Sequence, residues 1–306
     1  MMTPQKIKRL SPTLEAFYNI PILHRIGNDP VAIVHRYSDP REIEAVGWLT
    51  ASFSYGRASF FHQPIEKILS LSEQFGSFYN YLKTFDLSRE RSRFCNVSYR
   101  FNTADDILAL LYIMSQIILK YGTIQSFFLA CYHETDRDLG PTLSRCVEHI
   151  LAIDTHPIYK STKKPPGLLH FFPNPTEGSA CKRWNLYLRW MVRPAVSGVL
   201  TANDGLDFGI WKTIPPSKLI IPLDTHIARI SAYLGLTSRK TPDWVMAKEI
   251  TQSLMQFDPD DPLKYDFPLC HLGMSGNCPI VLNQRKCCVC PLLSACKRGG
   301  RACRSI

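Results

Sequence analysis

The spacing of the cysteines near the C-terminus constrains the fold of this chain more than any other feature. Six of the eleven cysteines lie within the last 29 of 306 residues. Two thiolates separated by two residues can bind one metal centre, and flanking cysteines can complete a tetrahedral set of soft donors. The segment is therefore expected to fold around a metal centre. The ligands form the pattern Cys-x8-Cys-x2-Cys-x5-Cys: Cys278, Cys287, Cys290 and Cys296.

The identity of the metal follows from the number of short cysteine pairs. Structural zinc sites usually combine two Cys-x2-Cys pairs, whereas only one is present here, so the pattern favours a 4Fe-4S cluster, with zinc as the alternative. A second alternative is a basic tail with free thiols. Cys288 and Cys303 are either spare or alternative ligands. In a cytoplasmic chain, such clustering favours metal ligation over disulfides.

Charge and hydrophobicity restrict the class of protein further. Lysine and arginine outnumber aspartate and glutamate by 36 to 26, a net charge of +10 that favours polyanionic partners. The N-terminal residues lack the apolar run of a secretory signal. The longest apolar stretch, residues 107–119, is shorter than a membrane span and is expected to form a buried helix. We therefore expect a cytoplasmic protein with no membrane partner.

Helical periodicity recurs along the chain and strand signals are sparse, which predicts an all-α fold. Thr103 precedes two aspartates and the apolar run, so a helix is expected to begin there. The segment Thr241–Asp243 predicts another helix start. Two stretches rich in proline and glycine, 156–179 and 197–221, are predicted to be loops.

The segment LDTHIARI places Asp224 at the N-cap of a further helix, where a carboxylate ordinarily accepts first-turn amide hydrogen bonds. This segment, a later helix, and YDFPLCHLGMSGNC leading into the four cysteines resemble the C-terminal half of endonuclease III and its relatives. Endonuclease III and its relatives form the helix-hairpin-helix DNA glycosylase superfamily. The resemblance covers residues 220–297. One departure is the first gap between cysteines, which has eight residues here and is shorter in the family.

The resemblance implies a catalytic aspartate at Asp224 and a catalytic lysine at Lys182. In the family, a glycine-rich hairpin precedes the lysine and holds a DNA phosphate with its backbone amides. Its counterpart here contains Gly178 and Ser179, but the second glycine position is Ala180. The separation of Lys182 from Asp224 is also longer than in endonuclease III. In this respect the chain resembles the divergent archaeal 8-oxoguanine glycosylases.

Further DNA contacts are implied by the same resemblance. The turn between two early helices carries Tyr55 and Arg57, which would enter the gap left by an extruded base. The alternative is an ordinary turn between helices. Other expected DNA contacts are Arg183, Arg189 and His226.

An alternative interpretation gives Lys182 no covalent role. It would then belong to a phosphate-binding helix face formed by Lys182, Arg183, Arg189 and Arg193. Basic residues around the cysteines offer a second phosphate-binding surface or merely offset the charge of a cluster. These are Lys286, Lys297, Arg298, Arg301 and Arg304.

The function implied is a bifunctional DNA glycosylase and AP lyase that acts on double-stranded DNA with an oxidised base. We expect a monomer, cytoplasmic and associated with the nucleoid. Residues 40–182 would form a helical barrel ending in a degenerate hairpin. Residues 1–39 and 183–306 would form a cluster domain with the LDTH helix. The alternative function is a non-catalytic DNA- or RNA-binding protein on the same fold.

Overall fold

The computed structural model describes residues 3–20, 26–27, 29–56, 58–194, 205–299 and 303. Every regular element within these ranges is a helix, and the only strand-like pairing among them is an isolated bridge between Tyr99 and Asn102. The predicted all-α class is confirmed for the part of the chain that the structure describes.

The chain divides into two compact units, one of residues 28–177 and one that combines 1–27 with 178–306. Both junctions lie earlier in the chain than the sequence predicts. Residues 31–34 form a short helix that packs on the next helix of the middle unit. At the second junction, the Gly178 carbonyl accepts a hydrogen bond from the Trp244 amide at 3.1 Å. The hairpin therefore belongs to the unit of the two chain ends.

The middle unit is organised around one long apolar helix, α7, whose side chains at Leu111 and Met114 are fully buried. It packs against α5, α6, α8, α10 and α11. The helices of this unit are α2 Val31–Val34, α3 Pro40–Phe53, α4 Ala58–Ser72, α5 Phe78–Lys83, α6 Leu87–Phe94, α7 Ala104–Tyr121, α8 Ile124–Cys131, α9 Gly140–Leu151, α10 His156–Tyr159 and α11 Pro166–Phe171.

Helix α7 begins where the sequence predicts. The Thr103 hydroxyl accepts a hydrogen bond from the Asp106 amide at 3.3 Å, and the Asp106 carboxylate accepts one from the Thr103 amide at 2.8 Å. This reciprocal arrangement satisfies two amide donors at the helix start.

Among the described residues, no single helix is both long and apolar enough to cross a membrane. Helices α7 and α8 meet that test only as a pair bent by 77°.

Two buried glutamates of α3 fix the starts of other helices. Glu42 accepts hydrogen bonds from the Phe78 and Tyr79 amides at the start of α5, at 3.0 and 2.6 Å. Glu44 accepts two more, at 3.0 and 3.1 Å, from the first amides of α8. A carboxylate at a helix N-terminus meets unpaired amides and the positive end of the helix dipole, so these buried charges are compensated.

The predicted loop at residues 156–179 is wrong in part, because the segment contains α10 and α11. Pro157 lies in the first turn of α10, and Pro166 is the first residue of α11. Proline is compatible with a first helical turn because that turn's amides lack partners within the helix. These prolines start helices instead of breaking them. In the other predicted loop, residues 195–204 lie outside the described residues.

The second unit is built from α1 and from the helices after residue 178. These are α1 Pro4–Tyr18, α12 Lys182–Val192, α13 Thr225–Leu234, α14 Trp244–Leu254, α15 Asp266–Met274 and α16 Gln284–Cys288. Asp224 caps α13, with its Oδ1 accepting from the Ile227 amide at 2.7 Å. Asp243 caps α14 in the same way, at 2.8 Å from the Met246 amide. Both predicted helix starts are confirmed.

Helices α13 and α15 pack closely at Gly273. A Cβ atom placed on Gly273 would lie 2.6 Å from the His226 Cβ, closer than carbon atoms can approach. Since a Cβ atom is fixed to the backbone, His226 cannot relieve this contact by rotating its ring. The absence of a side chain at Gly273 therefore sets the separation of the two helices.

Replacing Gly273 by alanine should lower the free energy of unfolding. Alanine gains about 1 kcal/mol of helix propensity, but overpacking a tight contact costs about 1–3 kcal/mol, so a net loss is expected. The urea midpoint measures it. Gly27→Ala is the matched control, because a Cβ there meets nothing within 4 Å. Equal midpoints for the two variants would contradict the prediction.

Candidate functional site

Lys182 is the first residue of α12 and follows the predicted hairpin directly. Gly178 has a φ of 80° and Cys181 one of 48°, so the chain turns twice through the left-handed region. The Ser179 hydroxyl accepts a hydrogen bond from the Cys181 amide at 3.2 Å. The left-handed conformation before α12 thus falls on a buried cysteine, in which a Cβ atom makes this conformation unfavourable. The Lys182 side chain is half-exposed at the end of this turn.

Asp224 is half-exposed, and both of its carboxylate oxygens have partners. Oδ1 accepts from the Ile227 amide within α13. Oδ2 lies 3.5 Å from Sγ of Cys270, one turn into α15. Cys270 could not be predicted as a partner of Asp224 from the sequence, because only the packing of α13 on α15 brings this thiol to the carboxylate.

A second connection runs from α13 to the cysteine segment. Nδ1 of His226 lies 3.2 Å from Nη2 of Arg229. The same guanidinium nitrogen donates to the Cys278 carbonyl at 2.9 Å. His226 is half-exposed and packs on Gly273, so the predicted DNA contact lies at the junction of two helices. Arg229, which follows His226 by three residues in LDTHIARI, was not singled out from the sequence.

Arg189 of α12 and Arg193, which follows the last residue of α12, lie in a buried network with three carboxylates. Arg189 forms ion pairs with Asp266 at 2.5 Å and with Asp207 at 3.3 Å. Arg193 pairs with Asp207 at 2.9 Å and with Asp261 at 2.7 Å. Both guanidinium groups are almost completely buried. The network connects α12 with α15 and with the segment that follows residue 204.

The charges of this network shift the pKa values of its members. Burial raises the pKa of Asp266 to about 6, and the carboxylates of Asp224 and Asp207 add to this effect, against the opposing charge of Arg189. Burial alone would lower the pKa of Arg193, but the charges of Asp207 and Asp261 outweigh it and raise that pKa. The effect of Asp224 on the pKa of Asp266 indicates that the N-cap carboxylate is electrostatically coupled to the network.

This placement corrects the interpretation of α12 as a basic surface. A phosphate could reach Arg189 or Arg193 only if their buried ion pairs were broken, and Arg183 is also largely buried. We therefore assign Arg189 and Arg193 a structural role and do not retain Arg189 as a DNA contact. Lys182 is the residue of that predicted face with a half-exposed side chain.

The four predicted ligand cysteines line one cavity in the C-terminal segment. Burial raises the pKa of Cys278 and of Cys290, and the charges of the neighbouring cysteines add to the effect. The Gly299 amide donates to the Cys296 sulfur at 3.2 Å. Among the described residues, no three histidine, cysteine, aspartate or glutamate side chains are grouped so as to hold a metal ion. The four cysteines therefore line the same cavity, but their side chains are not grouped as metal ligands.

The two remaining cysteines of the segment, Cys288 and Cys303, form a disulfide with their Cα atoms 5.9 Å apart. The expectation that clustering favours ligation over disulfides is wrong for this pair. The bond removes both residues from the set of possible ligands and leaves the four predicted cysteines as free thiols. Arg301 and Arg304 lie outside the described residues.

Tyr55 lies just after α3 in the middle unit, at the predicted turn. Its hydroxyl donates to the Asn102 side chain, and its ring packs against His170 and Phe101 with centroids 4.7 and 5.6 Å away. The most exposed ring of this cluster is that of Phe101, 52% exposed, which the sequence analysis did not single out. Arg57 lies outside the described residues.

Comparisons with known proteins give one family. A family model described as "Protein of unknown function (DUF2400)" matches residues 29–275. The matched segment contains Lys182 and Asp224 and ends shortly before Cys278. No curated protein and no solved structure matches the chain.

Replacing Arg189 by methionine should destabilise the protein strongly. The change removes one of two cations from three carboxylates, and losing one partner of a buried ion pair costs about 3–5 kcal/mol. Urea unfolding followed by circular dichroism measures the loss. Arg239→Met is the control, because Arg239 pairs with Asp243 at the surface and such pairs contribute about 1 kcal/mol or less. Similar losses in both variants would contradict the assigned role.

Proposed function

The chain belongs to the DUF2400 family of proteins of unknown function. We propose that it is a DNA glycosylase with AP lyase activity. Its proposed substrate is double-stranded DNA that carries an oxidised base. The observation that carries the proposal is the environment of Asp224, a half-exposed N-cap carboxylate held by the Ile227 amide and the Cys270 thiol. The resemblance to endonuclease III supplies the chemistry of such a carboxylate.

Base removal begins with extrusion of the damaged nucleotide, because the glycosidic carbon is shielded within the duplex. As the base leaves, positive charge develops on the sugar. The Asp224 carboxylate stabilises that charge, or accepts a proton from the attacking group. Hydrogen bonds from Ile227 and Cys270 fix the orientation of the carboxylate before the substrate binds.

Lys182 acts as the nucleophile. Its amine nitrogen bonds to the sugar carbon while the bond from that carbon to the base breaks, and ring opening gives a Schiff base. Loss of a proton from the neighbouring sugar carbon then expels the 3′ phosphate by β-elimination. Support comes from helix packing: Arg189 ties α12 to α15 through Asp266, and Cys270 of α15 contacts Asp224. The helices with the two proposed catalytic residues are therefore both braced against α15.

We propose that the cysteine-lined cavity holds a 4Fe-4S cluster, because all four predicted ligand cysteines line it. The presence of a single Cys-x2-Cys pair favours a cluster over one structural zinc ion, which usually has two such pairs. Cys278, Cys287, Cys290 and Cys296 would each hold one iron. The bound cluster would act as a cross-link between distant parts of the segment. Arg229 would then join the segment to the helix of Asp224 through the Cys278 carbonyl.

One observation favours the second candidate, a non-catalytic nucleic-acid-binding protein. The Ser179 hydroxyl accepts a hydrogen bond from the Cys181 amide. In the family, the backbone amides of this hairpin hold a DNA phosphate, but here the Cys181 amide has a partner within the chain. Salt-sensitive binding without turnover on a panel of lesion-bearing duplexes would support this candidate. Relative affinity for matched RNA and DNA would separate its two forms.

Borohydride reduction tests the lyase chemistry. With an abasic duplex, the native protein should become covalently attached to DNA, because borohydride reduces a Schiff base to a stable amine. Lys182→Ala should abolish the adduct. Asp224→Asn should slow base release about 100-fold or more, in line with the loss of an acid–base group. Lys212→Ala is the matched control, since Lys212 is an exposed lysine of the same unit.

Two results would argue against the assignment. If Lys182→Ala gave as much covalent adduct as the native protein, the nucleophile would be an amine other than that of Lys182. The absence of any adduct or cleavage across oxidised and abasic duplexes would remove the enzymatic function and leave the binding protein.

The cluster has a separate chemical test. Protein purified without oxygen should be brown and contain iron and acid-labile sulfide, and Cys290→Ser should lose most of both. Cys95→Ser is the control, because Cys95 is exposed in the middle unit and should retain them. A colourless protein with stoichiometric zinc would contradict the cluster.

A further inference from the structure

A second cavity, of about 340 Å³, lies where the end of α13 meets the start of α1. Its volume is within the range of small-ligand sites. Most of its lining residues are polar, and they come from the start of α1, the turn after α13, one face of α14 and Lys297. The proposed glycosylase chemistry uses none of these side chains.

Two ammonium groups converge on one point of this cavity. Gly235 ends α13 in the left-handed conformation, and a Cβ atom built on it would lie 2.5 Å from Nζ of Lys6 and 2.5 Å from Nζ of Lys297. The two nitrogens are therefore no farther apart than twice that distance. At such a separation two positive charges repel each other.

Among the described residues, few groups offset this repulsion. Lys6 donates to the Gly235 carbonyl, and the end of α13 provides the negative pole of a helix dipole. Within the described ranges, neither Lys6 nor Lys297 forms an ion pair with a carboxylate. Glu249 also lines the cavity, but its carboxylate accepts from the Thr237 hydroxyl at 2.9 Å and the Ser238 amide at 3.3 Å. Burial and then the charge of Lys297 lower the pKa of Lys6.

The start of α1 adds a third positive feature. Thr3, the N-cap residue, lines the cavity, and its side chain makes no capping hydrogen bond. The first turn of this 15-residue helix contains no acidic residue. The positive end of its dipole therefore has no carboxylate of its own helix beside it.

We propose that this cavity is a binding site for a phosphate group, held between the ammonium groups of Lys6 and Lys297 at the start of α1. A phosphate offers negative charge to both lysines and acceptor oxygens to the hydroxyl and amide groups of the lining. The phosphate belongs either to a free small molecule, such as a nucleotide, or to a nucleic-acid backbone. The site does not depend on the glycosylase assignment.

Calorimetric titration of the full-length protein with inorganic phosphate tests the site without any enzymatic readout. We expect saturable binding and a rise in Tm with phosphate. Lys6→Met should weaken binding at least tenfold and remove the rise in Tm, and Lys297→Met should do the same. Without phosphate, Lys6→Met should unfold at the same Tm as the native protein or a higher one, since it relieves the repulsion. This comparison separates lost binding from lost folding.

Lys8→Met is the matched control, because Lys8 is exposed on α1 and does not line the cavity. A nucleoside monophosphate and a short duplex identify the source of the phosphate. Tighter binding of the nucleotide, impaired by Lys6→Met, assigns a free ligand. For the duplex, we compare how steeply the binding affinity of the native protein and of Lys6→Met falls with salt. A salt dependence that is weaker in Lys6→Met, by about one phosphate contact, assigns a backbone phosphate. Equal responses of Lys6→Met and Lys8→Met to phosphate would overturn the proposal, as would no binding by the native protein.

Discussion

The close approach of α13 and α15 at Gly273 is the contact on which the candidate site depends. With no side chain at this position, His226 can pack directly against α15. The same packing brings the Cys270 thiol to Asp224 and allows Arg229 to reach the Cys278 carbonyl. As the N-cap residue, Asp224 accepts an amide hydrogen bond from the first turn of α13 through one carboxylate oxygen. Tertiary packing determines which group contacts its second oxygen.

The buried network of Arg189 and Arg193 has a different role, because it fixes α12 against segments that are distant in sequence. Removing charges from water is costly, and only good geometry with several partners offsets that cost. Asp207 supports both arginines, while Asp261 and Asp266 each support one. An arrangement of this kind has few alternatives of similar energy, and it explains why charged residues lie inside the unit.

Local signals predicted local structure well. Thr103, Asp224 and the segment Thr241–Asp243 predict helix starts correctly, because capping depends on residues within one turn. The prolines in residues 156–179 led to the wrong prediction of a continuous loop. Proline breaks a helix interior but is compatible with the first turn of a helix. Arg189 could not be assigned from periodicity, which gives a helix face without showing that a carboxylate 77 residues away will cover it. The pairing of Cys288 with Cys303 likewise could not be predicted from spacing alone, because it requires their Cα atoms to approach to 5.9 Å.

The unit that holds the candidate site is discontinuous in sequence, since residues 1–27 join residues 178–306 across the entire middle unit. Helix α1 is synthesised before the middle unit, yet its partners are made after it: Lys6 bonds to Gly235, and Glu15 to Lys264. Contacts between residues so far apart in sequence form slowly, because closing the intervening chain costs entropy. During translation the middle unit can become compact while the amphipathic α1 still exposes its apolar face. The growing chain therefore has an interval of vulnerability to aggregation that ends only when its C-terminal part emerges from the ribosome.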